Sequence, residues 1–96
     1  MYPAYNFLLK ATRILQVDNY HDNDLEMIYN YVISIDYETL IDYNNNRTIL
    51  IYDNDLEFYI EIIDVLTQAL IDIEDYEKCQ VLKYKKEECL TIMNKI

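Results

Sequence analysis

Leu40-Ile41-Asp42-Tyr43, then Asn44-Asn45-Asn46, then Arg47-Thr48-Ile49-Leu50-Ile51-Tyr52 sits at the centre of the 96-residue chain. Two runs rich in β-branched and aromatic residues bracket three asparagines. Such runs favour the half-buried, pleated surface of a strand. Asparagine is the non-glycine residue that best tolerates the left-handed positions of a short hairpin loop. The pattern predicts a β-hairpin, with Asn44–Asn46 standing in for the glycine that this chain does not contain.

Outward from that hairpin the spacing turns helical. On its C-terminal side, Asn54-Asp55-Leu56-Glu57 has the form of a helix start, with Asn54 as cap and Glu57 three positions on. Leu56, Tyr59, Ile60, Ile63, Leu66, Leu70 and Ile73 then trace an apolar face for about five turns. A last segment carries Tyr76, Cys79, Leu82, Cys89, Leu90 and Met93. On the N-terminal side, Leu25, Ile28, Tyr29 and Val32 fall at i, i+3, i+4, i+7, with Asp22 or Asp24 as N-cap. The alternation of Tyr31, Ile33, Ile35, Tyr37, Thr39, Ile41 and Tyr43 fits a strand equally well, so helix is expected to about Ser34 and strand from about Glu38. Ala4 to Leu15 reads as a short amphipathic helix through Phe7, Leu8, Ala11, Ile14 and Leu15. The expected order is α, α, β, β, α, α. That is a single α+β domain over residues 1–96, with helices flanking a central β-hairpin and an antiparallel helical hairpin at the C-terminus.

The missing glycine excludes whole classes of chemistry. Walker A loops, G-x-G-x-x-G dinucleotide turns and G-x-S-x-G nucleophile elbows all need it for positive φ or close backbone approach. One serine (Ser34), one histidine (His21) and no C-x-x-C or H-E-x-x-H pattern leave catalysis without a constellation, so no enzyme is expected. His21 lies among carboxylates that favour its protonated form. The Asp18–Asp24 cluster fails as a calcium loop, with Asn23 where glycine belongs and Tyr29 where the bidentate glutamate should be. Cys79 and Cys89, ten residues apart on one expected helix, are about 15 Å apart along the axis and beyond disulfide reach. No metal or cofactor is expected, and reduced thiols point to an intracellular, cytoplasmic setting.

Charge supplies the positive lead. Acidic residues number 18 against 8 basic ones, for a net −10. Residues 14–77 hold a balance of −15 between mildly basic ends. Such a domain is repelled by nucleic-acid backbones and anionic membranes and attracted to basic partners. The longest uncharged runs, Met1–Leu9 and Met27–Ile35, are nine residues each, far below the ~20 of a spanning helix. Lys10 and Arg13 follow the first apolar run instead of preceding it, unlike a signal peptide.

Glu57, Glu61, Asp64 and Asp72 fall on one face of the expected helix, opposite Leu56, Ile60, Ile63 and Leu70. Like charges at i, i+4 cost a helix about 0.2–0.5 kcal/mol per pair, so local stability does not account for them. A step of four rises about 6 Å, near the spacing of phosphates along a strand. With Asp53 and Asp55 at the helix start, these six acids are the candidate partner-binding residues. The competing reading is a solvated face, or one neutralised by Lys78, Lys83, Lys85 and Lys86. Exposed tyrosines among the 11 present would add cation–π contacts to arginine and lysine.

Heavy use of Ile (14), Asp (10) and Asn (9) with scarce Ala and Pro is the bias that AT-rich viral genomes produce. In size, charge and composition the chain resembles phage anti-CRISPR and DNA-mimic proteins. That resemblance implies an inhibitor of a basic host nucleic-acid-processing or defence enzyme. From Ala69 to Lys83, the aromatic between acids (Asp75-Tyr76-Glu77), Cys79, Leu82 and Lys83 resemble the UVR motif of excision-repair and Clp-associated proteins. Tyr84 departs from it where the motif prefers aspartate. This resemblance implies a tight turn near Glu74–Tyr76 and a protein-binding role. The alternative expectation is a structural or adaptor module, self-associating through the C-terminal hairpin about Leu82 and Leu90.

Overall fold

The computed structural model describes residues 22–48 and 50–94, and they contain four helices and no strand. These are α1 (Asp22–Ser34), α2 (Tyr37–Asn45), α3 (Asp55–Asp72) and α4 (Tyr76–Met93). The expected helix Ala4–Leu15, His21 and most of the Asp18–Asp24 cluster lie outside the described residues.

The β-hairpin is not there, and the α+β assignment gives way to an all-helical fold. Its first run belongs to α2, which buries Leu40 and Tyr43. In a strand, residues three apart face opposite ways, so burying both selects the helix. A cap supports it: Asp36, extended at φ −82°, accepts the Thr39 N–H at 2.8 Å. The asparagines end this helix instead of turning a hairpin. Asn45 Nδ2 donates to the Ile41 carbonyl (3.1 Å) and Asn46 Nδ2 to that of Asp42 (2.7 Å), satisfying last-turn acceptors. The described residues of the second run form a loop, tied by Arg47 Nε on the Tyr52 carbonyl (2.9 Å), Arg47 Nη2 on that of Leu50, and the Asp55 carboxylate. Asp55 accepts from Thr48 N and Oγ1, both at 2.7 Å.

α1 buries the expected Leu25, Ile28, Tyr29 and Val32. At its end Ser34 Oγ bonds Tyr31 O within the helix, the Tyr59 hydroxyl bonds Val32 O from α3, and Lys85 Nζ bonds the Ile35 carbonyl just past it. α3 starts at Asn54, whose side chain accepts the Glu57 N–H at 2.9 Å, while Glu57 reaches back to the N–H of Asp53 at 3.3 Å. It supplies eight buried residues, Leu56, Phe58, Tyr59, Ile62, Ile63, Leu66, Ala69 and Leu70, and is the spine of the core.

α3 ends in a Schellman arrangement: Asp75 N–H bonds Leu70 O and Glu74 N–H bonds Ile71 O, each at 2.9 Å. That closure needs a left-handed residue, and Glu74 takes it at φ 61°, alone among the described residues. So the left-handed backbone expected of Asn44–Asn46 falls on a glutamate. α4 then runs back along α3, with Cys79 Sγ 3.6 Å from Thr67 O and Lys86 Nζ 2.7 Å from Asp64 Oδ1.

Candidate protein-binding surface

Burial of Leu56, Tyr59, Ile63 and Leu66 turns the opposite side of α3 to solvent, and Glu61, Asp64, Gln68 and Asp72 lie along it. From Glu57 to Asp72 the row spans about 22 Å of helix axis. The six candidate acids are not equivalent in their surroundings. Asp53 is exposed beside the cap. Asp55 is half-buried and committed to Thr48, and Glu57 is half-buried and committed to the helix start. Glu61 is exposed, and hydrogen bonding to its carboxylate, then burial, then the charges of Glu61 and Glu57 push the Tyr52 phenol up to about 12. Tyr52 is held in turn by stacking on Phe58, with ring centroids 5.0 Å apart. Asp64 pairs with Lys86, and Asp72 accepts from Gln68 Nε2 at 3.3 Å. The outward, partner-accessible part of the set is therefore Asp53, Glu61, Asp64 and Asp72.

The basic side chains have the opposite disposition. Arg47 is spent on two loop carbonyls. Lys78 lies 3.2 Å from Asp75 and 5.5 Å from the centre of the Tyr29 ring, and its bond to Asp75 raises its pKa. Lys85 donates to the Ile35 carbonyl and stands 3.5 Å from Glu88 Oε1. That second approach is an ion pair without hydrogen-bond alignment, and Glu88 Oε1 is buried with no hydrogen-bond partner among the described residues. Lys86 faces Asp64. Among the described residues Arg47 makes no ion pair, and of their lysines only Lys83, exposed on α4, makes none. Glu26, Glu38, Asp42, Glu74, Glu77 and Glu87 are all exposed. The outward field of the described residues is therefore more acidic than their composition alone requires.

The tyrosines divide differently from their sequence pattern. Tyr29 and Tyr59 are buried as expected, but so is Tyr43, whereas Tyr76 is 61% exposed. Tyr37 and Tyr84 are exposed too. The Tyr43 hydroxyl is buried with no hydrogen-bond partner among the described residues, and its ring packs on Tyr59 at 5.9 Å. Leu82 is fully buried and contributes to the core, lining a groove between α3 and α4, while Leu90 is 42% exposed.

Both cysteines are free thiols on α4. Burial pushes the Cys89 thiol up to about 12 and also raises Cys79, so neither is an activated nucleophile. Among the described residues no group of three or more His, Cys, Asp or Glu is placed to hold a metal ion. No described helix is long and apolar enough to cross a membrane.

Sequence reasoning missed the ties that Arg47 and Asp55 make across the loop, and the two aliphatic side chains held at its tip, Leu50 and Ile51. No spacing in the sequence marks these ties, since Arg47 bonds main-chain carbonyls and Asp55 bonds Thr48. No family model, curated protein or solved structure matches this chain.

Proposed function

We propose that this chain is a non-enzymatic, intracellular binding protein that engages a basic protein surface through the outward acids of α3. Its most concrete form is a phage-encoded inhibitor of a host nucleic-acid-processing or defence enzyme. It occupies a site shaped for a nucleic-acid backbone with Asp53, Glu61, Asp64 and Asp72. The observation that carries this reading is the segregation of charge among the described residues: Arg47, Lys78, Lys85 and Lys86 are turned onto the chain's own carbonyls and carboxylates, Lys83 alone stays free, and most acids face outward. Exposed Tyr37, Tyr76 and Tyr84 would add cation–π contact to the partner's arginines and lysines.

The test is competition. The protein should displace a labelled DNA duplex from its target in a panel of basic nucleases, with affinity falling steeply between ~50 and ~500 mM salt as screening lengths shorten. The triple variant Glu61→Gln/Asp64→Asn/Asp72→Asn should lose at least about tenfold in affinity, the scale of a ~1.4 kcal/mol change. Salt-insensitive binding, or full affinity in the triple variant, sinks the proposal.

A second reading, an adaptor that self-associates through the α3–α4 hairpin, has one observation in its favour: an open groove along that hairpin.

A further inference from the structure

The loop between α2 and α3 is tied at several points among its described residues, yet it holds two aliphatic side chains in water. Besides the ties of Arg47 and Asp55, the Asp55 N–H bonds the Asn46 carbonyl at 2.8 Å and Asn54 Nδ2 bonds Asn44 Oδ1 at 3.1 Å. Leu50 and Ile51 are nevertheless 75% and 83% exposed, more than any other large apolar side chain among the described residues. Apolar area kept in water on a tied backbone is area ready to be buried without a further ordering cost. The acids beside this tip are Asp53, exposed, and Glu57, half-buried.

The complementary feature lies at the far end of α3. A groove of about 490 Å³ opens between the helices of the hairpin, lined by Ile63, Thr67 and Ile71 from α3 and Tyr76, Cys79 and Leu82 from α4. Asp64, Lys83 and Lys86 also line it. Asp64 and Lys86 satisfy each other at 2.7 Å, which leaves Lys83 as the free charge. The groove is mainly apolar with a positive edge, and the tip is apolar with a negative edge. Asp55 and Thr67 are about 18 Å apart along α3, so the tip of one chain is remote from its own groove.

We infer that the Leu50–Ile51 tip of one copy seats in the α3–α4 groove of a second copy, with Asp53 set against Lys83. This rests on the self-associating reading and specifies its contact. Each chain offers one tip and one groove, so the contact is head-to-tail and either propagates or closes into a ring. Two side chains make a small interface, so the association is weak and concentration-dependent. Copies of net charge −10 repel at long range, so self-association strengthens as salt rises from ~20 to ~300 mM. Binding to a basic partner has the opposite salt dependence.

Sedimentation velocity on the full chain, from roughly 20 μM to roughly 1 mM where weak contacts form, tests it. The weight-average sedimentation coefficient should climb with concentration. It should stay flat for the tip variant Leu50→Ser/Ile51→Ser and for the groove variant Ile71→Arg, each checked for helix content by circular dichroism. An equimolar mixture of the two variants should recover association but stop at a dimer, because only one intact tip and one intact groove remain to meet. Growth that persists in either variant overturns the tip-in-groove contact while leaving self-association through another surface. A wild-type chain that is monomeric throughout overturns both.

Discussion

α3 and α4 are both eighteen residues long and lie side by side, yet they are held in place by different physics. α3 buries eight side chains and needs little else. α4 buries only Leu82, Cys89 and Ile92. Between Leu82 and Cys89 its half-buried positions are charged: Lys85 on the Ile35 carbonyl, Lys86 on Asp64, and Glu88 beside Lys85. Helices of equal length can thus contribute unequally to a core, the second docked on the first partly by long cationic arms whose stems cover apolar surface. The lysines that could have balanced the surface charge are the ones that do this docking.

The largest expected effect separates the two helices directly. Leu66→Ala, in the fully buried middle of α3, should cost about 3–4 kcal/mol in chemical denaturation. Val81→Ala on α4, where the side chain is 42% exposed, should stay within about 0.5 kcal/mol. Equal losses would remove the distinction.

Next come two tyrosines whose rings touch. Tyr59→Phe strips the hydroxyl from the buried Val32 carbonyl and should cost about 1–3 kcal/mol. Tyr43→Phe removes a buried hydroxyl that has no hydrogen-bond partner among the described residues, and should be neutral or stabilising. Burial holds the Tyr59 phenol protonated well above its ordinary value near ~10, and the Cys89 thiol above its ordinary ~8.5. A raised folded-state pKa stabilises fully below the unfolded value and loses that contribution as pH rises. Stability should therefore decline from about pH 8.5 upward, and Tyr59→Phe should flatten the part of the decline above ~10.

Lys85→Met tests the cationic docking of α4. It keeps the aliphatic stem but gives up a charged hydrogen bond to Ile35 O, for a loss of about 1–2 kcal/mol. A stabilised Lys85→Met would mean that α4 docks by apolar contact alone. Smallest is the turn that joins the helices: Glu74→Gly relieves a left-handed glutamate and should raise stability by about 0.5–1 kcal/mol, net of the extra freedom glycine gains on unfolding.

The start of α3 was legible in the sequence because it is written in local chemistry. Asn54 with Glu57 marks the start, while the turn near Glu74–Tyr76 was expected from the resemblance to the UVR motif. α1 was expected to about Ser34 from Leu25, Ile28, Tyr29 and Val32, although its last residues from Tyr31 fitted a strand equally well. α2 was misread because Tyr37 to Tyr43 satisfies period 2 and period 3.6 at once, and nine residues are too few to separate them. The deciding contacts, Leu40 and Tyr43 against the core, come from residues more than a dozen positions away. One local clue was present, since Asp36 is placed to cap a helix at Thr39. For the candidate surface, the sequence placed the acids on one face of α3. The use of Glu57 at the helix start was written in the Asn54–Glu57 pair, but the sequence did not reveal that Asp55 is taken up by Thr48, a partner in a loop whose path no periodicity encodes.

Glutamate and glycine codons differ by a single middle base, which makes Glu74 a statement about mutational distance. The one left-handed backbone position in the described chain lies one point substitution from the residue best suited to it. A library of random single-base changes, sorted for thermal resistance, should return Glu74→Gly among its early winners, without any contact having been redesigned.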